Sequence, residues 1–139
     1  MSHTRLRYHI VFATKSRKPL IKPEVEDFLQ SVIDEISVDI GGCTLAVGGV
    51  DDHIHTISAI PPNLAVSDFI RKLKSRSTTA MKATFAELED FAWQVGYGCF
   101  TLDPHNMSRI FSYVTHQRQR HEKNLLWEEY EKIAYHGRR

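Results

Sequence analysis

Several large protein classes are excluded by what this chain lacks. It holds only two cysteines, Cys43 and Cys99, far apart and each inside an apolar stretch. That rules out a disulfide framework and a paired-cysteine metal site, and leaves two buried thiols as the expectation. No apolar run approaches the roughly 18 residues of a membrane span. The opening MSHTRLRYHIVF sets basic residues before an apolar stretch too short for a secretion signal, with no small-residue cleavage site after it, so a cytoplasmic protein with no membrane association is expected. Repeats and low-complexity linkers are absent. The net charge is only +1, which excludes a generic polycation of the kind that binds nucleic acid by charge alone.

What is present is the material of one folded unit. A chain of 139 residues, 42% hydrophobic and 25% charged, suits a single domain spanning residues 1–139. The charge is unevenly spread. Arg71, Lys72, Lys74, Arg76 and Lys82 fall in a stretch without an acid, and Glu87, Glu89 and Asp90 follow directly. Basic residues also crowd Lys15 to Lys22 and Arg118 to Lys123.

Arg5 to Lys15 is rich in β-branched and aromatic residues and predicts a strand, paired centrally. Glu24 to Val38 places Val25, Phe28, Leu29, Val32, Ile33 and Ile36 on one stripe of a helix that Gly41 and Gly42 stop. Cys43 to Gly49 and His53 to Ile60 read as a hairpin turned at Val50 to Asp52 and ended by Pro61 and Pro62. Ser67 is the expected cap of a helix burying Phe69, Ile70, Leu73 and Met81 and turning its basic residues outward. Trp93 to Leu102 predicts a strand, and Ser108 to His121 a helix with Ile110, Phe111 and Val114 on its inner side. A short helix near Leu125 to Ala134 closes the chain. The order βαββαβ predicts an α+β ferredoxin-like sandwich, an antiparallel sheet with helices on one face and further C-terminal helices.

Side chains two apart on a strand share a face, so His53 and His55 project together and can chelate one ion. Asp51 and Asp52 add carboxylates that suit a hard cation such as Mg²⁺ or Mn²⁺. Taken alone, such a pair also fits ordinary strand histidines. Tyr113 and Gln117 stand four apart on the last long helix and therefore face one place. Gln117 can complete a metal's coordination without neutralising its charge, and Tyr113 is a candidate nucleophile. A phenol with an ordinary pKa near 10 needs a base or cation nearby, and His116, His121 and the ion are candidates. A half-buried tyrosine packed on a helix would fit the same residue.

Together YHIVFATKSRKPLI, VDDHIHTISAIPP, FIRKLKSRSTTAMK, WQVGYGCFTL and YVTHQRQRH resemble, in order and spacing over nearly the whole chain, the single-tyrosine HUH (histidine, hydrophobic, histidine) nucleases. The resemblance is to the small transposases of the 200/605 group of insertion sequences and their REP-associated relatives. Asp51 stands where proline is common in that group. The resemblance implies a metal site of His53, His55 and Gln117, with Tyr113 attacking a phosphodiester of single-stranded DNA to leave a 5′-phosphotyrosine and a free 3′-hydroxyl. It also implies hairpin DNA ends as substrate and a homodimer whose subunits share active sites. The chemistry serves excision and insertion of a mobile element, or a host function in a domesticated relative. The backbone grip is expected from Arg71, Lys72, Lys74 and Arg76, with Lys15 and Arg17 as further contacts. Two other readings of the residues are a nucleic-acid-binding module without metal and a hydrolase in which the histidine pair activates water.

Overall fold

The computed structural model of the protein describes residues 2–127 and Glu131. Its elements are β1 (Arg7–Ala13), α1 (Pro23–Asp39), β2 (Cys43–Val50), β3 (His53–Ala59), α2 (Val66–Thr84), β4 (Gly98–Leu102), α3 (Met107–Thr115) and α4 (Gln117–Glu122). The strands form one antiparallel sheet in the order β2, β3, β1, β4, so β1 is central, β2 and β3 make the expected hairpin, and the α+β sandwich is as predicted.

Strand alternation divides the sheet into two faces. One carries Ile10, Phe12 and Ile54 and packs against Val25, Leu29 and Ile33 of α1 and Phe69, Ile70, Leu73 and Met81 of α2, all buried. The other carries Ala46 and Ile57, which meet Ile110 and Val114 of α3. The C-terminal helices thus add a third layer on the face opposite α1 and α2.

Local chemistry explains where the elements depart from expectation. Helix α2 begins at Val66, with Ala65 in the cap position and no side-chain cap, so Ser67 lies in the first turn. Val66 packs on the core, and the helix starts two residues earlier than a Ser67 cap would place it. The strand expected from Trp93 is confined to Gly98–Leu102, because Gly96 turns the chain at φ 95°, a conformation open to glycine. Trp93 instead bridges Thr14 and donates its indole N–H to Ser77 Oγ at 3.0 Å. The single helix expected over Ser108 to His121 breaks at His116 (φ −114°, ψ 34°). There the Thr115 hydroxyl folds back on Phe111 O (3.0 Å) and the His116 ring lies against Ser112 O (2.9 Å), local bonds that compete with the helical ladder. Phe111, expected inward, is 42% exposed, and Cys43, expected buried, is exposed at the start of edge strand β2. The helix expected near Leu125 to Ala134 lies mostly outside the described residues.

Two contacts hold the third layer down. The Arg118 guanidinium, on α4, donates to Glu26 Oε1 (2.8 Å), Asp51 Oδ1 (2.7 Å) and Ile21 O (2.8 Å), tying α4 to the start of α1 and to the hairpin turn. The second is a close approach of backbone to backbone. A Cβ on Gly48 would lie 1.8 Å from Val114 O, so α3 rests directly on β2 where Gly48 pairs with His55. Gly48→Ala is therefore expected to lower stability by about 1–3 kcal/mol through overpacking, measured by urea denaturation. An unchanged midpoint would show that α3 does not depend on this approach.

Candidate active site and metal centre

On β3, residues 53, 55 and 57 alternate onto the face beneath α3, so the histidine pair enters the seam between sheet and C-terminal layer. His53 and His55 are almost wholly buried. Each ring is fixed through Nδ1. His53 Nδ1 donates to Asp52 Oδ1 at 2.8 Å, and Asp52 is in turn held by Arg17 Nε at 3.2 Å. His55 Nδ1 shares a 2.8 Å hydrogen bond with Nε2 of His9, a buried β1 residue. With Nδ1 anchored, both Nε2 atoms turn into the seam, buried and without a hydrogen bond of good geometry.

A carboxylate lies between them. Glu131 Oε1 is 3.0 Å from His53 Nε2, and Oε2 is 3.3 Å from His55 Nε2. These three side chains bring their donor atoms within 4.8 Å of one another, a group able to hold a metal ion. Paired imidazoles whose outer nitrogens are pinned to a carboxylate and to another histidine are the usual surroundings of a metal-binding histidine. The residues therefore fit a divalent ion.

Tyr113 reaches the same place from α3. Its ring is 5.7 Å from that of His55 at an interplanar angle of 85° and is fully buried. Its hydroxyl donates to Glu131 Oε2 and accepts from the Trp127 backbone N–H (3.0 Å). Trp127 stacks on the phenol at 4.3 Å, and the Arg120 guanidinium sits 4.9 Å from the ring centre.

Gln117 is also buried here, but its amide is spent locally. Nε2 donates to Tyr113 O (2.9 Å), and Oε1 accepts from His121 Nε2 (3.1 Å). His121 further approaches Glu131 Oε1 at 3.3 Å. His116, the other expected partner of the phenol, is exposed and turned back on its own helix. Asp51 pairs with Lys22 (2.8 Å) and Arg118. With Asp52 committed to His53 Nδ1 and Arg17, neither aspartate faces the Nε2 atoms.

Burial governs the protonation of the cluster. It pushes His55 down to about 4 and His9 to about 3, with repulsion between imidazoles acting the same way, so both are neutral near pH 7. Burial also disfavours the charged form of His53, but the Asp52 and Glu131 carboxylates outweigh it and raise that pKa. Burial opposes ionisation of Glu131, yet His121, His53 and His55 hold it well below the ordinary carboxylate range. The Tyr113 phenol is pushed above its ordinary value, first by burial and then by Glu131.

The expected backbone contacts fall in two places. Lys15 and Arg17 are exposed at the end of β1, beside Asp52 and the rim of the site. The α2 cations lie on the opposite face of the sheet. Arg71 pairs with Asp68 (3.3 Å) and Arg76 with Asp39 (2.6 Å), both exposed pairs. Lys72 is half-buried. Lys74 donates to Gln94 O (2.7 Å) and Gly96 O (2.8 Å), and burial lowers it to about 8. It lines a groove of about 570 Å³ between α2 and residues 92–97, on the helical face and away from the histidines.

The structure brings His53, His55 and Tyr113 into one seam, where the sequence reading expected them to meet, and adds His9 and Glu131, which that reading did not name. His9 had a signal, since it shares a face of β1 with Val11 across from His55. Glu131 had none, because no periodicity links it to β3.

The IS200-like transposase family model matches residues 2–117. The chain is 31% identical over 125 residues to the transposase for insertion sequence element IS200 of Salmonella typhimurium, covering 84% of this chain and 81% of that one. It is 24% identical over 121 residues to the ISDra2 transposase TnpA of Deinococcus radiodurans, covering 84% and 86%. A crystal structure of a transposase candidate from Deinococcus radiodurans R1 superposes with a TM-score of 0.70 at 26% identity, covering 81% of this chain and 91% of the other. A REP-associated tyrosine transposase bound to a REP hairpin shares the fold, with a TM-score of 0.64 at 17% identity over 87% of this chain and 74% of that one. The chain belongs to the IS200-like transposases, enzymes that cut and move DNA.

Proposed function

We propose that this transposase cuts and rejoins single-stranded DNA, with Tyr113 as nucleophile and His53 and His55 as imidazole ligands of a divalent ion, magnesium or manganese. One observation carries the reading: the Tyr113 ring packs 5.7 Å from that of His55 in the seam into which both Nε2 atoms turn. An ion held there supplies positive charge that polarises a phosphate oxygen. The phenol oxygen attacks phosphorus, the bond to the 3′-oxygen breaks, and the DNA keeps a 5′-phosphate esterified to Tyr113. The phenol proton passes to solvent, and the departing 3′-oxygen takes a proton from water. One P–O bond replaces another, so a new 3′-hydroxyl can reverse the reaction and join a different strand.

The Tyr113 hydroxyl is engaged by Glu131 and by the Trp127 N–H, so attack requires these contacts to be exchanged for substrate. Because one chain brings Tyr113 beside His55, we read each site as complete within a subunit. A homodimer sharing its sites would have to exchange α3. Hairpin-ended DNA is the substrate we propose, in keeping with the REP hairpin bound by the structural relative.

Backbone grip falls to Lys15 and Arg17 beside the site and to Arg71, Lys72 and Arg76 on α2. The exposed pairs of Arg71 and Arg76 are worth little and yield readily to phosphate. Lys74 also faces the groove, with two of its three N–H donors on backbone carbonyls.

Incubation with a hairpin-bearing single strand and Mg²⁺ or Mn²⁺, then denaturation, is expected to trap a covalent protein–DNA species. Tyr113→Phe should abolish it, and His55→Ala should lower its rate by roughly two orders of magnitude. Strand cleavage surviving Tyr113→Phe would make water the nucleophile and end the tyrosine reading. In anisotropy titrations across a salt series, Lys72→Ala should weaken single-strand binding and reduce the slope of log K against log salt by about 0.7. A slope unchanged in both Lys72→Ala and Arg71→Ala would remove α2 from the DNA-binding surface.

A further inference from the structure

We infer that the groove between α2 and residues 92–97 holds an unpaired base of the DNA, stacked on Tyr97, with the adjoining phosphate on Arg71. The inference rests on the reading that this chain acts on single-stranded DNA, and adds to it a base pocket on the face of the sheet away from the histidines.

A lysine builds the wall of this groove. The carbonyls of Gln94 and Gly96 lie before β4, outside any strand, and accept from Lys74 Nζ at 2.7 Å and 2.8 Å. That clamp fixes the segment against α2. Trp93 supplies a rigid apolar surface, since its ring meets Phe12 (4.7 Å, 82°) and Phe91 (4.9 Å, 87°) edge to face and its N–H is satisfied by Ser77.

The lining selects the occupant. It includes Arg71 and Lys74 and no acid, and Arg71 is held only by an exposed pair with Asp68 at 3.3 Å. On the clamped segment Tyr97 is 37% exposed and Val95 84%. Aromatic surface beside unopposed cations suits a polyanion that carries planar rings, and stacking on it asks for no particular base. Bases of a duplex already stack on one another, so the occupant is unpaired. The volume of about 570 Å³ lies in the range, roughly 300–1,000 Å³, of pockets that enclose small ligands.

The groove is also continuous with the rim of the active site. The Lys15 N–H donates to Ala92 O (3.0 Å), the Gln94 N–H donates to Ala13 O (2.8 Å), and Thr14 bridges Trp93. The segment therefore runs beside the stretch that carries Lys15 and Arg17, and Arg17 touches Asp52 behind His53. A strand leaving the histidine seam over these two cations meets the groove as it rounds the sheet. Two basic patches on opposite faces become one track.

The test uses the full-length protein and a short thymidine single strand, with binding followed by anisotropy across a salt series. Tyr97→Ala should weaken binding about tenfold at an unchanged slope of log K against log salt, because stacking releases no counterion, whereas Tyr97→Phe should bind as the parent does. A strand of equal length without bases should bind the parent and Tyr97→Ala alike. With 4-thiothymidine in the strand, ultraviolet light should crosslink the parent within residues 92–97, a result that decides even where the alanine variant unfolds. A folded Tyr97→Ala that binds the thymidine strand as tightly as the parent overturns the inference. So does a loss accompanied by a changed sedimentation coefficient, since the groove would then hold a second copy of the chain. If the parent binds no single strand, the underlying reading fails as well, whereas single-strand binding with every crosslink outside residues 92–97 refutes the groove alone.

Discussion

The site depends on how closely α3 can lie against the sheet. Gly48 is paired with His55, and the absence of a side chain there lets the Val114 carbonyl rest where a Cβ would otherwise stand. That approach brings the Tyr113 ring, one residue away, within 5.7 Å of the His55 ring. A larger residue at 48 would lift the helix, and the phenol would leave the imidazoles. Ile110 and Val114, closing over Ala46 and Ile57, supply the apolar contact that holds the helix in place. One missing side chain on β2 therefore permits the geometry, and a small hydrophobic patch maintains it.

Orientation comes from a second layer of contacts. An imidazole with both nitrogens free can present either one. Here Asp52 fixes His53 and His9 fixes His55, each through Nδ1. Arg17 steadies Asp52 from the rim, so an exposed cation that sequence marks as a DNA contact also supports a buried histidine. Asp51 and Asp52 are adjacent yet serve different ends. The first joins the Arg118 network that clamps α4 to α1, and the second faces the site from behind.

The legible part of this molecule was whatever rests on periodicity within one element. Alternation in HIHTISAI placed His53 and His55 on one face, and helical spacing placed Phe69, Ile70, Leu73 and Met81 in the core. Breaks were less legible, because they turn on one side chain competing with the backbone, as Thr115 and His116 do, or on one φ value, as at Gly96. Contacts between elements were least legible of all. Lys74 sits in a run of cations that reads as a solvent-facing stripe, yet its ammonium is half-buried against the carbonyls of Gln94 and Gly96. Glu131 meets His53 and His55 across more than seventy positions of sequence, a contact that no local pattern records.

A purely structural account of the buried histidines meets an energetic objection. Burying two imidazoles and a carboxylate costs desolvation free energy that their mutual contacts, 3.0 Å and 3.3 Å from Glu131 to the two Nε2 atoms, repay only in part. The fold has no need of them, since the same seam is filled at Ala46, Ile57, Ile110 and Val114 by apolar side chains that carry no such cost. Leucine or valine at 53 and 55 would bury equal surface without a lone pair to satisfy. The cluster also draws in Glu131, a carboxylate kept ionised despite burial, and a tyrosine whose ionisation burial opposes. Charges and lone pairs directed at one point in a low-dielectric seam are mutually unfavourable until something positive occupies that point. A divalent cation would fill that role, because one charge centre can satisfy both imidazoles and the carboxylate together.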